Sequence, residues 1–287
     1  MFDFELYWDD SGTHDNSPIA IAACYVATQP QWGEFVRNWD KARQEEGFDW
    51  FHMADFMQKP ERGIKPYCDW SPEKRKRVYF RLASIINTRV RMGFGFGIPT
   101  EAFNRYAPQR FKDESASDAF IFAVQCVFSL VGDWYLRYGE GKAVQYIFED
   151  RKGMAKVHQI WEFLKEHPEQ AKAYGARPDV PDGITFQSPK FFKPLQSADI
   201  LAWNTHTHMR DVVLPGLPDR DPYVRPYFRV LRCDRPTEFA FLTDEQVKEA
   251  FDEIQAIEQK EGHRGYLLPR KLLKRVGGIV LTADNHQ

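Results

Sequence analysis

The chain has 287 residues, with 39 Lys and Arg against 41 Asp and Glu, which gives a formal net charge of −2. Hydrophobic residues make up 43% and charged residues 28% of the sequence, the proportions of a folded globular protein, so a disordered or low-complexity chain is excluded. A near-neutral protein does not coat nucleic acid by bulk charge, although a local basic patch stays open.

The ends of the chain and its apolar segments predict a soluble protein of the cytoplasm with no membrane partner. Residues 1–5 hold neither a basic nor an apolar signal region, so no secretory signal is expected. The longest fully apolar run, Ile19 to Ala27, is far shorter than the ~20 residues that cross a bilayer. The four cysteines are far apart in sequence, which predicts neither a zinc motif nor a disulfide framework. The oligomeric state is left open.

The predicted elements begin with two strands joined by a tight turn. Phe4 to Trp8 is a short strand, Gly12 to Pro18 is rich in turn residues, and Ile19 to Thr28 is an apolar strand. A helix follows, with apolar residues at spacings of three and four from Trp32 to Trp39. The later elements are a helix that Ser71 caps, a strand over Val90–Ile98, a helix over Ser117–Tyr138, a strand over Val144–Phe148, a helix over Met154–His167, a strand over Gly183–Gln187 and a helix over Leu195–His208.

The pattern is weaker beyond Arg210. Pro215 to Pro226 is predicted as a loop, Tyr227 to Arg232 is a candidate strand, and a capping box at Thr243 opens a helix over Glu245–Lys260. The element order predicts an α/β protein with a mixed sheet flanked by helices. Residues 1–210 are expected to form one domain, and residues 211–287 a helical or loop extension packed on it.

Acidic residues stand at corresponding places of this predicted sheet. Asp9 ends the first strand, Glu149 ends the strand after the long helix, and Asp199 lies one turn into a later helix. Ligands of open α/β sheets gather outside the carboxyl ends of the strands. Two carboxylates ~4 Å apart repel by ~4 kcal/mol at an effective dielectric of ~20, and a hard divalent cation removes that penalty. Asp10 and Asp150 could each supply a further metal ligand or an outer contact.

These acids also have a purely structural interpretation. Carboxylates at strand ends and helix N-termini are common because they cap and solvate well. Asp199 is the hardest to explain in this way, because its neighbours are apolar and a buried carboxylate needs a partner. The nearby cations are Lys190 and Lys193.

Four short segments resemble the motifs of domain-of-unknown-function family 3800, over roughly residues 4–209. They are Tyr7-Trp8-Asp9-Asp10-Ser11-Gly12-Thr13, the His52 block of Phe51-His52 with Asp55-Phe56, Phe148-Glu149-Asp150-Arg151, and Leu195-Gln196-Ser197-Ala198-Asp199-Ile200-Leu201-Ala202. The chain departs from the family by Asp10 in place of Glu and by Glu149 in place of Asp.

The resemblance implies a ribonuclease H-like fold, with a five-stranded mixed sheet and acids on the first strand, the fourth strand and the last helix. It implies a metal-dependent phosphodiester hydrolase, a nuclease with a carboxylate-bound two-metal mechanism acting on nucleic acid. Asp9, Glu149 and Asp199 would then be catalytic ligands of Mg²⁺ or Mn²⁺, and His52 would orient water or bind a phosphate.

Other patterns are less specific. A basic stretch from Lys74 to Arg91 could contact phosphates or form a solvated helix face. His206 and His208, two residues apart on a helix, point to different sides and are not expected to share a metal. Four aromatic residues in or beside loops could stack bases or pack locally: Phe111, Phe191, Phe192 and Tyr223.

Two alternatives to a nuclease are open. One is a non-catalytic binding or assembly module that keeps the fold, with the acids as surface groups or a structural cation site. The other is phosphotransfer on a nucleotide. The absence of a glycine-rich phosphate loop after the first strand argues against the second, since Gly93 to Gly97 lies within a predicted strand.

Overall fold

The computed structural model describes residues 2–12, 17–109, 111, 119–139, 141–150, 154–173, 176, 182–220, 222–233, 236–261 and 279–282. Within these residues the chain is a mixed α/β protein built on a seven-stranded sheet. The strands are β1 Phe4–Ser11, β2 Ile19–Thr28, β3 Met92–Pro99, β4 Val144–Glu149, β5 Ile184–Gln187, β6 Thr237–Phe241 and β7 Ile279–Thr282.

The strands lie in the order β5-β4-β1-β2-β3-β6-β7. The hairpin strand β2 is antiparallel to both of its neighbours, β1 and β3. Strand β4 runs parallel to β1 and to β5, and β6 runs parallel to β3. The carboxyl ends of β1, β4 and β5 therefore meet at one edge of the sheet.

Helices cover both faces of the sheet, which explains why β2 is apolar nearly throughout. The helices are α1 Gln29–Glu46, α2 Met53–Phe56, α3 Pro72–Arg89, α4 Thr100–Tyr106, α5 Ala119–Tyr138, α6 Ala155–Glu166, α7 Pro168–Ala173, α8 Lys193–His208, α9 Pro226–Cys233 and α10 Asp244–Glu261. Buried residues of α1, α2, α3, α8 and α9 share one core, and those of α4, α5, α6, α7 and α10 share the other.

Most of the elements predicted before residue 210 are confirmed, with ends that differ by a few residues. The predicted N-cap is confirmed, since the Ser71 hydroxyl accepts a hydrogen bond from the Lys74 N–H at 3.2 Å. The predicted capping box contributes a bond from the Thr243 N–H to the Gln246 side chain at 2.9 Å.

After residue 210 the helix predicted over Glu245–Lys260 is confirmed, but the helical or loop extension is wrong in one respect, because the chain adds two strands there and extends the predicted five-stranded sheet to seven. Residues 226–233 form helix α9 instead of a strand. Pro226 is at the first turn of this helix, and Phe228 and Leu231, three residues apart, lie on one face and are buried. Strand β6 was not predicted. It is short, and Glu238 interrupts its apolar pattern although that side chain is buried.

Helix α5 is long and apolar enough to cross a membrane, and it exceeds the apolar run on which the sequence analysis relied. The protein itself buries 83% of its most apolar stretch. Neighbouring aromatic residues such as Trp8 and Tyr146 stack on its Phe128 side chain. This burial is that of a core helix and suggests a soluble protein.

The glycines of β3 allow α8 to lie close to the sheet. A Cβ atom on Gly95 would come within 2.7 Å of the Phe239 ring and 3.3 Å of Thr205 on α8. A Cβ atom on Gly97 would come within 2.5 Å of the Met209 sulfur, just beyond the end of α8. Side chains on this face of β3 would push α8 outward, so the glycine pattern helps to fix the helix that carries Asp199.

Candidate active site

Asp9 and Glu149 lie side by side at the carboxyl ends of two parallel strands. Trp8 pairs with Phe148 in the register of β1 and β4, so the residues that follow them are neighbours. Side chains alternate along a strand, and Tyr7 packs into the core that contains α8. Asp9 points to the same face as Tyr7, which places both carboxyl groups beneath α8.

Asp199 reaches the same place from the first turns of α8. Its Oδ2 atom accepts a hydrogen bond of 2.6 Å from the Met53 N–H, at the beginning of α2. This bond joins the His52 segment to α8. Three carboxylates that are up to 190 positions apart in sequence therefore meet at one edge of the sheet.

The acids lie on the floor of an open cleft of about 480 Å³. This volume is within the ~300–1,000 Å³ of small-molecule sites. The lining residues are Asp9, Asp10, Ser11, Gly12, Trp50, Phe51, His52, Ala54, Glu149, Pro189, Asp199, Trp203, His206, Thr207 and Arg210.

The acids in this cleft repel one another. Burial raises the pKa of Asp9 well above its usual range, and the charges of Asp10, Asp199 and Glu149 raise it further. Burial also raises the pKa of Asp199 to about 6, although His52 and the Met53 N–H act in the opposite direction. Such groups become stable when they share a proton or bind a cation.

His52 lies at the rim of the acidic floor. Burial alone would lower the pKa of His52, but Asp199, Asp55 and Glu149 outweigh burial and raise the pKa. Its Nδ1 atom is 2.9 Å from Asp55 Oδ2, which orients the ring. The ring stacks on Trp50 at 5.3 Å between centroids. His52 can therefore carry a proton next to the carboxylates.

The two flanking acids differ in position. Asp10 lines the cleft, and its charge raises the pKa of both Asp9 and Asp199, although it alternates to the opposite face of β1 from Asp9. Asp150 is exposed and is not among the lining residues. Its N–H donates to Gln187 O at 2.8 Å, which continues the pairing of β4 with β5. The structure thus brings Asp10 to the acids but not Asp150.

Gln196 fixes the cleft walls relative to one another. Its Oε1 atom accepts hydrogen bonds from the Trp39 side chain at 2.9 Å and from the Phe51 N–H at 3.0 Å. Its Nε2 atom donates to Pro189 O at 2.6 Å. The side chain ties α1, the His52 segment and the loop before α8 to one point, one turn ahead of Asp199.

The sequence analysis missed four residues of the cleft walls: Trp50, Trp203, His206 and Arg210. Three of them follow Asp199 at intervals of four, three and four residues, which is the spacing of a single helix face. That spacing was a readable signal. Trp203 and His206 are on α8, and Arg210 is in the π-helical turn Met209–Val213 beyond its end. His206 was considered only with His208. The structure confirms that the two point apart, since His208 is buried and His206 lines the cleft.

The basic stretch of α3 contacts its own protein. Arg77 and Arg81 pair with Glu46 at 2.9 Å and 3.3 Å, and Arg75 donates to the carbonyls of Gln58 and Tyr67. These contacts favour the structural interpretation of the stretch. Of the aromatic candidates, Phe111 is buried, whereas Phe191, Phe192 and Tyr223 are exposed.

The acids as they stand form no closed metal cage. Among the residues that the structure describes, no three His, Cys, Asp or Glu side chains are arranged closely enough to hold a metal ion. Glu149 lies close enough to raise the pKa of Asp9 through its charge and through a side-chain hydrogen bond, as happens when two carboxyl groups compete for one proton. The donor set is all oxygen, which is the set that Mg²⁺ and Mn²⁺ prefer.

The resemblance noted from the short motifs has no support from whole-sequence comparison. No protein-family model matches the chain, and no curated protein matches its sequence.

Proposed function

We propose that this protein is a metal-dependent nuclease of the ribonuclease H-like type, which hydrolyses phosphodiester bonds. The observation that carries the proposal is the convergence of Asp9, Glu149 and Asp199 on the floor of an open cleft. A purely structural role would not require three carboxylates to meet where each raises the free energy of the others.

The order of the elements supports the same proposal. Five adjacent strands lie in the order β3-β2-β1-β4-β5, with β2 antiparallel to both of its neighbours. The acids stand on the first strand, the fourth strand and helix α8. This is the distribution that the resemblance to family 3800 implies.

The all-oxygen donor set suits a hard divalent cation, although no three of the described side chains are arranged to hold one as they stand. Asp9, Glu149 and Asp199 would hold Mg²⁺ or Mn²⁺, with Asp10 close enough to add charge. When bound, such a cation activates water and stabilises the negative charge that develops on a phosphodiester.

The other groups of the cleft position the substrate. His52, held by Asp55, presents a proton at the rim, where it can donate a hydrogen bond to a phosphate oxygen. The Met53 N–H fixes one Asp199 oxygen, so that the carboxylate cannot rotate away from the floor.

A matched pair of variants tests the proposal. Asp9→Asn removes a charge from the floor, whereas Asp150→Asn removes the same charge from the next strand end, outside the cleft. Purified wild type and both variants are incubated with single- and double-stranded DNA and RNA, with Mn²⁺ or with a chelator. We expect cleavage by wild type and Asp150→Asn only when Mn²⁺ is present, and a loss of at least about 100-fold in Asp9→Asn.

The melting temperature gives a second readout that does not depend on the substrate. A cation that binds only the folded state stabilises it by ~2.7 kcal/mol at 100 times its Kd. We expect Mn²⁺ to raise the melting temperature of wild type and Asp150→Asn but not of Asp9→Asn. Equal cleavage by all three proteins would contradict the catalytic assignment. No cleavage and no melting shift would leave a binding or assembly module on the same fold.

A further inference from the structure

Two aromatic side chains, each with a cation over its ring, flank the acids. On one wall, Lys190 Nζ lies 5.6 Å from the centroid of the Trp50 ring. On the other wall, the Arg225 guanidinium lies 5.9 Å from the centroid of the Trp203 ring. Both tryptophans line the cleft. A ring that can stack a base beside a cation that can pair with a phosphate is the combination that unpaired nucleotides bind.

The wall formed by α8 continues this arrangement along a line. Asp199, Trp203 and His206 share one face of α8, Arg210 lies in the π-helical turn Met209–Val213 just beyond it, and all four line the cleft. At 1.5 Å per residue, the nine steps from Asp199 to His208 at the end of α8 span about 14 Å. A strand whose phosphate lies at the acids would therefore pass Trp203 and His206 before it reaches Arg210.

The far end of this line carries a net positive charge. Arg210 Nε is 2.7 Å from Asp211 Oδ1, and Arg225 Nη2 is 2.7 Å from Asp211 Oδ2. Two guanidinium groups thus share one carboxylate, which leaves one positive charge over. At the other end Lys190 is exposed, and the neighbouring Phe191 side chain is 76% exposed.

We propose that the cleft binds a single-stranded polynucleotide along α8, with an unpaired base on Trp203 and phosphates at Lys190 and Arg210. Only the assignment of this strand as the substrate to be cut depends on the proposed function. The size of the cleft agrees with one strand. A volume of about 480 Å³ has room for a few bases and phosphates of a single strand but not for a base-paired helix.

The charge distribution also favours one strand over two. A duplex is held mainly by rows of Lys and Arg along its two backbones. On α3, the longest basic stretch of the chain, Arg77 and Arg81 are paired with Glu46. The few cations at the cleft suit a short contact in which stacking supplies much of the affinity.

Binding can be measured without cleavage. A fluorescent phosphorothioate strand of about 12 nucleotides, within the ~4–16 nucleotides that comparable single-strand binding domains cover, is titrated in Mg²⁺ and followed by anisotropy. DNA and RNA strands are compared with a duplex of the same sequence. We expect either strand to bind at least about tenfold more tightly than the duplex. The tighter of the two sugars then identifies the substrate, and either result supports the inference.

Variants assign the contacts. Trp203→Ala is expected to weaken strand binding at least about fivefold and Trp203→Phe to retain most of it, because any aromatic ring stacks a base. The control Tyr138→Ala removes an exposed ring from α5, on the opposite face of the sheet, and should bind like wild type. With about two phosphate contacts, the plot of log affinity against log salt should have a slope of about −1.4, and Arg210→Ala should reduce it by about 0.7.

The result can fail independently of the nuclease proposal. Equal or tighter binding of the duplex, or unchanged binding by Trp203→Ala, would overturn the single-strand inference, even if Asp9→Asn abolishes cleavage. Conversely, if the protein prefers single strands over duplex in a way that depends on Trp203 and Arg210 but shows no metal-dependent cleavage, the single-strand inference is supported and the nuclease proposal is refuted.

Discussion

Two buried glutamines of this protein should respond in opposite directions to the same substitution. Gln196 and Gln125 are each 1% exposed and lie on buried helices. The side chain of Gln196 makes three hydrogen bonds. Neither side-chain polar atom of Gln125 has a hydrogen-bond partner among the described residues. Methionine replaces either side chain with similar volume and no hydrogen-bonding capacity.

The structure sets the expected magnitudes. Gln196→Met leaves two fully buried donors, the Trp39 side chain and the Phe51 N–H, without an acceptor. An unsatisfied buried group costs ~1–3 kcal/mol, so we expect a loss of about 3 kcal/mol and a melting temperature lower by roughly 6–12 °C. Gln125→Met removes an amide that is buried without partners, so stability should rise by about 1 kcal/mol.

Urea unfolding followed by tryptophan fluorescence measures both variants against wild type. Gln196→Met should also weaken Mn²⁺-dependent cleavage, because Phe51 precedes His52 and Met53 in the segment that contacts Asp199. If the two variants change the free energy of unfolding by the same amount, the hydrogen bonds of Gln196 do not hold the cleft walls and the argument fails.

Three further predictions concern stability. Gly12 and Gly47 have the same φ of +74°, so alanine at either position costs ~1–2 kcal/mol of backbone strain. At Gly12 the Cβ atom of alanine would also clash with the Ile19 carbonyl. Thermal melts should therefore show a loss of stability above about 3 kcal/mol for Gly12→Ala but not for Gly47→Ala. Burial and Arg232 lower the pKa of His208 to about 4 despite Asp219. The unfolded chain therefore binds more protons than the folded one between pH 6.5 and 4, and stability should fall by up to about 3 kcal/mol as pH drops through that window; in His208→Gln, urea titrations should show a correspondingly smaller fall. Hydrogen bonds from Arg77 and Arg81 lower the pKa of Glu46, so the stability that the ionised carboxylate contributes is present at neutral pH and is lost as the pH falls. Glu46→Gln should therefore cost about 1 kcal/mol at pH 7, since Arg77 is partly solvated, and less in acid.

The sheet could be predicted where local patterns decide the structure. Strand β2 reads as a continuous apolar run and α5 as a long apolar helix, and both lie where the sequence put them. Strand β6 could not be found in this way. Its stability comes from pairing with β3, which is distant in sequence, and from burial of both its faces beneath α9 and α10. A five-residue strand that contains a charged residue is too short, and its apolar pattern too irregular, to be recognised from local sequence.

The acids of the cleft could be predicted from the sequence, but the residues of its walls could not. Glu149 ends β4 and Asp9 lies two residues before the end of β1, and such positions can be read from the sequence. Trp50 lies in an irregular segment that the contacts of Gln196 and Asp199 bring to the acids. Spacing shows which residues share a helix face with Asp199, but it does not show that this face looks into the cleft, because nearly the whole helix is buried.

The position of Asp199 links the fold to the chemistry. The Asp199 carboxylate stays among the other acids because three contacts hold it there. Helix α8 packs against the glycines of β3, Gln196 accepts a hydrogen bond from a side chain of α1, and Asp199 itself accepts a hydrogen bond from the Met53 N–H. The first two contacts lie outside the acidic floor, and the third joins the floor to the scaffold through Met53, so the free energy that opposes the repulsion comes from the scaffold. On the proposed function, a divalent cation bound at these carboxylates would offset their repulsion. The same contacts present Trp203 and Arg210 in line with the acids. The scaffold that holds the acids together therefore also orients the wall along which a strand would pass.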